Sequence, residues 1–327
     1  MQAPVSAVIE RHARTFAFAA QYLGARERQA TATLYAYFRT LDDLVDESRN
    51  PEGAASALAD WDGWLEDPGR AAGSDPLRTA LMQTINEFAV PTRYLRALIV
   101  GLRSDLTGER VRTVDDLDRY CLRVAGSVGM AMCHVFGATS SSALGAAAAM
   151  GIAMQITNIL RDIAEDLGRD RLYLPADHLA AEPEAARGLD QRYANPSLAR
   201  LLRSHAGRAR GYYRAGAAGL AELPETARYP LGLSAWLYEG ILDELALAQF
   251  NPFAGRAIVP DDAKRAIAAR LRATMQAHPL VWPPPDSRWD DGTLPATPTR
   301  AQLDEIQAWT RLERCPSNGK TANGRAE

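Results

Sequence analysis

Cysteine is scarce in this 327-residue chain, and badly placed for cross-linking. Only Cys121, Cys133 and Cys315 occur, an odd number with no CxxC pair. That argues against a disulfide framework or a zinc site, and it fits a reducing compartment such as the cytoplasm. A basic surplus is also missing: net charge is −3 with no long basic block. Nucleic acid is therefore not expected as a partner. Glu10-Arg11-His12 is reached with no apolar run before it, so no secretory leader is expected. No G-x-G-x-x-G fingerprint appears, and Gly126-Ser127-Val128-Gly129 lacks the lysine of a phosphate loop. Runs of alternating β-branched residues are scarce and tandem repeats are absent, which leaves little room for strands.

What is present is helical nearly throughout, so the expected fold class is all-α. From Arg28 to Asp46, Ala30, Leu34, Tyr37, Phe38 and Leu41 recur at spacings of three and four and make one apolar face. Thr113 with Asp115 and Asp116 reads as an N-cap and acidic first turn, opening a helix through Tyr120, Val124 and Val128. Asn195-Pro196-Ser197 opens another, and Pro224 closes the one holding Tyr212 to Leu223. A long helix is expected from Leu231 to Phe250. Ala143 to Leu160 is uncharged over 18 residues, the length of a membrane span. Gln155, Thr157 and Asn158 lie inside it and Arg161-Asp162 follow, so it reads as a buried helix with a polar end. The chain divides into a helical domain over 1–277, a Pro-rich extension over 278–312 with a short helix near 300–312, and a disordered polar tail over 313–327.

Two acidic motifs carry the chemistry. Asp42 and Asp46 form one D-x-x-x-D, Asp162 and Asp166 the other. On a helix, residues i and i+4 share a face about 6 Å apart along the axis. Carboxylates placed so repel each other, and hard divalent cations take their oxygens readily. A lone motif of this kind is usually a solvated helix face. Here both end strongly apolar stretches, and each has a cation beside it, Arg39 and Arg161. Two such helices face to face would hold Mg²⁺ against a diphosphate. Gln155, Asn158, Asp162 and Asp166 form one polar stripe, readable either as interhelical hydrogen bonding or as the wall of a site. Arg169 and Arg171 follow, placed either to close over phosphate or to cap an ordinary helix C-terminus.

These blocks together resemble the squalene and phytoene synthase family. The resemblance covers about residues 10 to 270. It rests on Leu34 to Arg39 with Asp42 to Asp46, on Tyr120 to Gly129, and above all on Gln155 to Asp166 with Arg171 to Pro175. It implies an isoprenoid-synthase-type helical bundle around a central cavity. Asp42, Asp46, Asp162 and Asp166 would hold Mg²⁺, with Mn²⁺ as an alternative ion. His12, Arg39, Arg161, Arg171, Tyr238 and Arg256 match diphosphate-binding positions. Tyr35, Arg39, Tyr120, Gln155, Asn158 and Arg161 match the reacting centre. Thr15-Phe16, Leu23-Gly24 and Arg123 depart from the family pattern, and Arg123 bears on the shape of the pocket.

The blocks around Tyr120 and Gln155 are most similar to bacterial phytoene synthases. That implies 1′–1 condensation of two geranylgeranyl diphosphates through a cyclopropyl diphosphate, without NADPH. The alternatives are squalene, dehydrosqualene or presqualene diphosphate synthesis from farnesyl diphosphate, a prenyl-diphosphate cyclase, and a non-catalytic assembly factor on the same fold. The resemblance also implies peripheral membrane contact without a spanning helix, with downstream carotenoid enzymes as candidate partners.

Overall fold

The computed structural model describes residues 21–48, 50–68 and 75–277. His12, Thr15-Phe16, Cys315, the Pro-rich extension and the expected helix at 300–312 lie outside the described residues. Among the described residues every regular element is helical.

Helix α1 spans Ala25–Asp46 and buries Leu34, Tyr37 and Leu41 completely, the apolar face the spacing predicts. Helices α2 (Pro51–Glu66) and α3 (Pro76–Phe88) each begin with proline behind a side-chain cap, Asn50 and Asp75. Helix α4 (Thr92–Thr107) is tied to α1 where the Tyr37 hydroxyl donates to the Leu95 carbonyl at 3.0 Å. Helix α5 (Val114–Cys121) starts as the sequence predicts, with Thr113 and Asp116 forming a reciprocal capping box.

The predicted continuous helix through Val128 is interrupted. Leu122–Gly126 is a π-helical turn, and α6 (Ser127–Val135) resumes beyond it. Glycines on both sides of the contact with the helix over Ser141–Gly168 serve close packing. A Cβ on Gly129 would stand 2.4 Å from the Ala147 carbonyl oxygen, and one on Gly151 would stand 2.3 Å from that of Ala125.

Helix α7 (Ser141–Gly168) is the axis of the fold. The π turn, α6, a helix over Pro196–Ala217 (α10) and one over Glu225–Leu247 (α11) pack around it. It is long and apolar enough to cross a membrane, yet 61% of its most apolar stretch is buried inside the protein. That matches the reading of a core helix. Two short helices, α8 (Ala176–Ala181) and α9 (Pro183–Asp190), lead into α10, whose N-cap is Asn195. Helix α10 ends at Ala217, and the remainder toward Pro224 is a 3₁₀ turn over Ala218–Glu222. Helix α11 starts six residues before the expected Leu231, with Pro230 inside it. A proline so close to the N-terminus removes one hydrogen bond and does not end the helix. Helix α12 (Asp261–Ala277) completes the bundle.

Candidate functional site

The bundle encloses a cavity of about 380 Å³. Its wall follows one face of α7 through Ala143, Ala147, Met150, Gly151, Met154 and Asn158. From Asn158 back to Ala143 is fifteen residues of helical rise, about 22 Å. Most of the wall is apolar, drawn from α1, α4, α6, α10 and α11 as well: Phe38, Leu98, Leu102, Val128, Phe136 and Leu231. Arg123 is not part of it and packs beside Gly101.

Polar groups gather at the Asn158 end. Tyr35, Arg39, Asp42, Tyr120, Gln155, Asn158 and Tyr238 all reach the wall. The Asn158 amide donates to Gln155 Oε1 at 3.3 Å, while Asn158 Oδ1 is buried with no hydrogen-bond partner. A buried carbonyl oxygen without a donor is costly, and it suits a cation, a water or a substrate. Burial holds the Tyr35 phenol at a pKa of about 12 and pushes Tyr120 well above its ordinary value, so both rings stay neutral.

The two acidic motifs meet beyond this end. Asp46, on α1, accepts from Arg169 at 3.1 Å and from Arg171, both in the loop that follows α7. Asp162 accepts from Arg161 Nε at 2.8 Å and from Arg256 at 3.1 Å. Arg39 bridges Asp42 at 3.3 Å and also pairs with Asp43. Arg161 is hydrogen-bonded to Tyr238 as well. The predicted carboxylates and arginines are therefore brought together, with the arginines held on the carboxylates. Among the described residues, no three carboxylate, imidazole or thiol groups already converge on one metal-sized point.

Burial first, and like charge second, set the electrostatics here. Burial, and then the neighbouring Asp46, raise Asp42 to about 6 against the opposing pull of Arg39. Burial, and then Asp162, raise Asp166 to about 7 although Arg169 and Arg171 act against it. Burial beside like charge disfavours an ionised carboxylate, and a cation bound between them would relieve both effects. An all-oxygen donor set with an orphaned carbonyl alongside fits a hard divalent cation.

One residue of this end escaped the motifs. Asp105, on α4, accepts from the Tyr120 hydroxyl at 3.1 Å and the Tyr173 hydroxyl at 2.9 Å. Burial raises it to about 6, opposed by the Tyr173 bond and the Arg171 charge. Nothing in Arg103-Ser104-Asp105-Leu106 marks it, since a lone aspartate near a helix C-terminus reads as a surface residue.

Comparisons with known proteins place the chain in a family. The squalene/phytoene synthase family model matches residues 9–271. Phytoene synthase 1 of Zea mays is 35% identical over 258 residues, covering 77% of this chain and 63% of its own. Phytoene synthase 3 of Zea mays is 36% identical over 264 residues, covering 79% and 62%. The chain thus spans less than two thirds of the length of these relatives. Among solved structures, a dehydrosqualene synthase bound to a ligand superposes with a TM-score of 0.76 at 26% identity, over 84% of this chain and 96% of the other. The squalene synthase HpnC of Alicyclobacillus acidocaldarius gives 0.69 at 25% identity, over 76% and 95%. The fold is the isoprenoid-synthase helical bundle, and the chain belongs to the squalene/phytoene synthase family.

Proposed function

We propose that this protein condenses two prenyl diphosphates head to head, 1′–1, and that its substrate is geranylgeranyl diphosphate, giving phytoene. The observation that carries this reading is one largely apolar cavity whose wall follows α7 over fifteen residues, a helical rise of about 22 Å, with carboxylates, arginines and tyrosines gathered at a single end. An extended isoprene unit adds four carbon–carbon bonds, about 5 Å, so a C20 chain needs about 20 Å and a C15 chain about 15 Å. A wall of that extent along α7 suits the longer chain. The similarity to plant phytoene synthases supports the same choice.

Asp42, Asp46, Asp162 and Asp166 would hold Mg²⁺, with Mn²⁺ as a substitute. When bound it would act as a Lewis acid on the diphosphate leaving group. Arg39, Arg161, Arg171 and Arg256 sit within reach of those carboxylates and supply the remaining positive charge. When diphosphate enters, guanidinium groups now spent on aspartates turn to phosphate oxygens, which they bind in bidentate fashion. His12 belongs to this set by motif. Preorganised charge stabilises the departing diphosphate better in a dry site than water does. The allylic cation left behind meets apolar walls that exclude water, with the neutral Tyr35 and Tyr120 rings and the Gln155–Asn158 amides at the reacting end. The product is a hydrocarbon, so peripheral membrane contact and a cytoplasmic location go with this reading, and NADPH does not.

The second reading is C15 chemistry, favoured by the superposition on the dehydrosqualene and squalene synthases. Purified protein with Mg²⁺ and either geranylgeranyl or farnesyl diphosphate, with and without NADPH, separates the two by mass spectrometry. A C40 hydrocarbon without NADPH is expected. A C30 product instead would overturn the chain-length assignment, and no coupled product from either would overturn the condensation itself.

A further inference from the structure

Asp105 lies behind the cavity wall rather than in it. It touches the wall through Tyr120, whose ring stacks on Tyr173 with centroids 4.8 Å apart. Each carboxylate oxygen takes one phenol: Oδ2 takes the Tyr120 hydrogen and Oδ1 the Tyr173 hydrogen. Three segments meet at this point, α4, α5 and the loop after α7. The same loop carries Arg171 onto Asp46. Neither acidic motif includes Asp105, and the condensation reading assigns it nothing.

We propose that Asp105 is a positioning residue for the reacting end of the cavity: it commits the Tyr120 hydroxyl hydrogen and fixes the ring against Tyr173. The reasoning is electrostatic. A phenol free to rotate can turn its O–H dipole either way. A phenol donating to an ionised carboxylate keeps its hydrogen on that carboxylate, and such charge-assisted bonds are about twice as strong as neutral ones. The Tyr120 ring and oxygen then stay electron-rich beside the cavity. That is the polarity an allylic cation needs from a neighbouring aromatic ring. Asn at position 105 keeps the volume but offers one acceptor and one donor. One of the two phenols then has to reverse its dipole.

This rests on the condensation reading for its effect on turnover, so the test has two arms. In steady-state kinetics, Asp105→Asn should lower kcat about tenfold or more, with KM for the prenyl diphosphate within about threefold. If Asp105 acts through Tyr120, adding Asp105→Asn to Tyr120→Phe should cost less than about twofold further, because the two act as a unit. Tyr173→Phe, which removes one bond and leaves the carboxylate, should show a smaller kcat loss and serves if Asp105→Asn does not fold. The second arm needs no activity. Phenols bonded to a carboxylate absorb further to the red, and Asp105→Asn should shift tyrosine absorbance to the blue, with Tyr120→Phe and Tyr173→Phe each removing part of that difference. Additive kcat losses, a KM effect without a kcat effect, or an unchanged absorbance spectrum would each overturn the proposal. Wild-type protein that turns over neither diphosphate refutes the condensation reading alone, and the absorbance arm then decides the hydrogen-bond network.

Discussion

The two ends of α7 are held in opposite ways. At its N-terminal half, small residues let backbones touch: Gly151 lies against Ala125, Ala147 against Gly129, and a Cβ on Gly219 would stand 2.5 Å from that of Ala146. At its C-terminal end, charges do the joining. Asp162 is gripped by Arg161 and Arg256, and the loop just beyond reaches across to Asp46 on α1. The apolar end is closely packed, with no charge left to satisfy. At the polar end, Asp42 and Asp166 carry pKa values raised to about 6 and 7 and Asn158 Oδ1 goes unpartnered. Tension of that kind at one end of an otherwise well-packed helix marks a site built to receive charge.

The sharpest way to break this contrast is to relieve the polar end. Asp42→Asn or Asp166→Asn removes a carboxylate that is already reluctant to ionise. Turnover should fall at least about a thousandfold, while Tm holds or rises, because crowded negative charge is lost. Near-normal product from either purified variant would sink the metal assignment. Chelation offers the same contrast without mutation. EDTA should stop turnover and leave the far-ultraviolet circular dichroism unchanged, because Arg169 and Arg171 already tie the loop after α7 to Asp46 and Arg256 already pairs with Asp162. Unfolding on chelation would mean that the polar end depends on the ion for its structure.

A smaller effect is expected deeper in the cavity. Ala146 lines the wall far from the carboxylates. Ala146→Leu should shorten the usable length and shift the preference from C20 toward C15 diphosphate by about tenfold, the scale on which a pocket reads one or a few carbons. Competition between the two substrates, read as the C40 to C30 product ratio, measures it. An unchanged ratio would mean that the chain ends elsewhere.

How much of this was legible beforehand follows from what kind of contact is involved. The face of α1, the Thr113 cap, the Asn195 cap and the buried character of α7 are local patterns, and the sequence shows them directly. The pairing of D-x-x-x-D motifs is also local within each helix. The Arg171–Asp46 bridge joins residues 125 apart, and only packing reveals that the arginines sit on the carboxylates rather than on open solvent. The π turn at Leu122–Gly126 was not legible as such, because its residues suit an α-helix equally well. Gly126 and Gly129 lie at and just beyond that turn, and the close approach of Gly129 to Ala147 is a contact that only packing reveals. Pro230 misplaced the start of α11, since a proline ordinarily marks a boundary. Asp105 was invisible because its role depends on two tyrosines from other segments.

The smallest effect is the one that tests the apolar end itself, and α7 supplies its own control. Gly145 and Gly151 lie in the same helix, six residues apart. A Cβ at Gly145 would meet nothing within 4 Å, whereas one at Gly151 would press on the Ala125 carbonyl at the π turn. Helix propensity favours alanine at both sites by about 1 kcal/mol. Gly145→Ala should therefore raise stability by about that much. Gly151→Ala has to push two backbones apart, at a cost of about 1–3 kcal/mol. Denaturant melts of the two variants should move in opposite directions from the wild type. Parallel shifts would mean that helix propensity governs α7 throughout, and that its contact with the π turn yields more easily than the close approach of Gly151 and Ala125 implies.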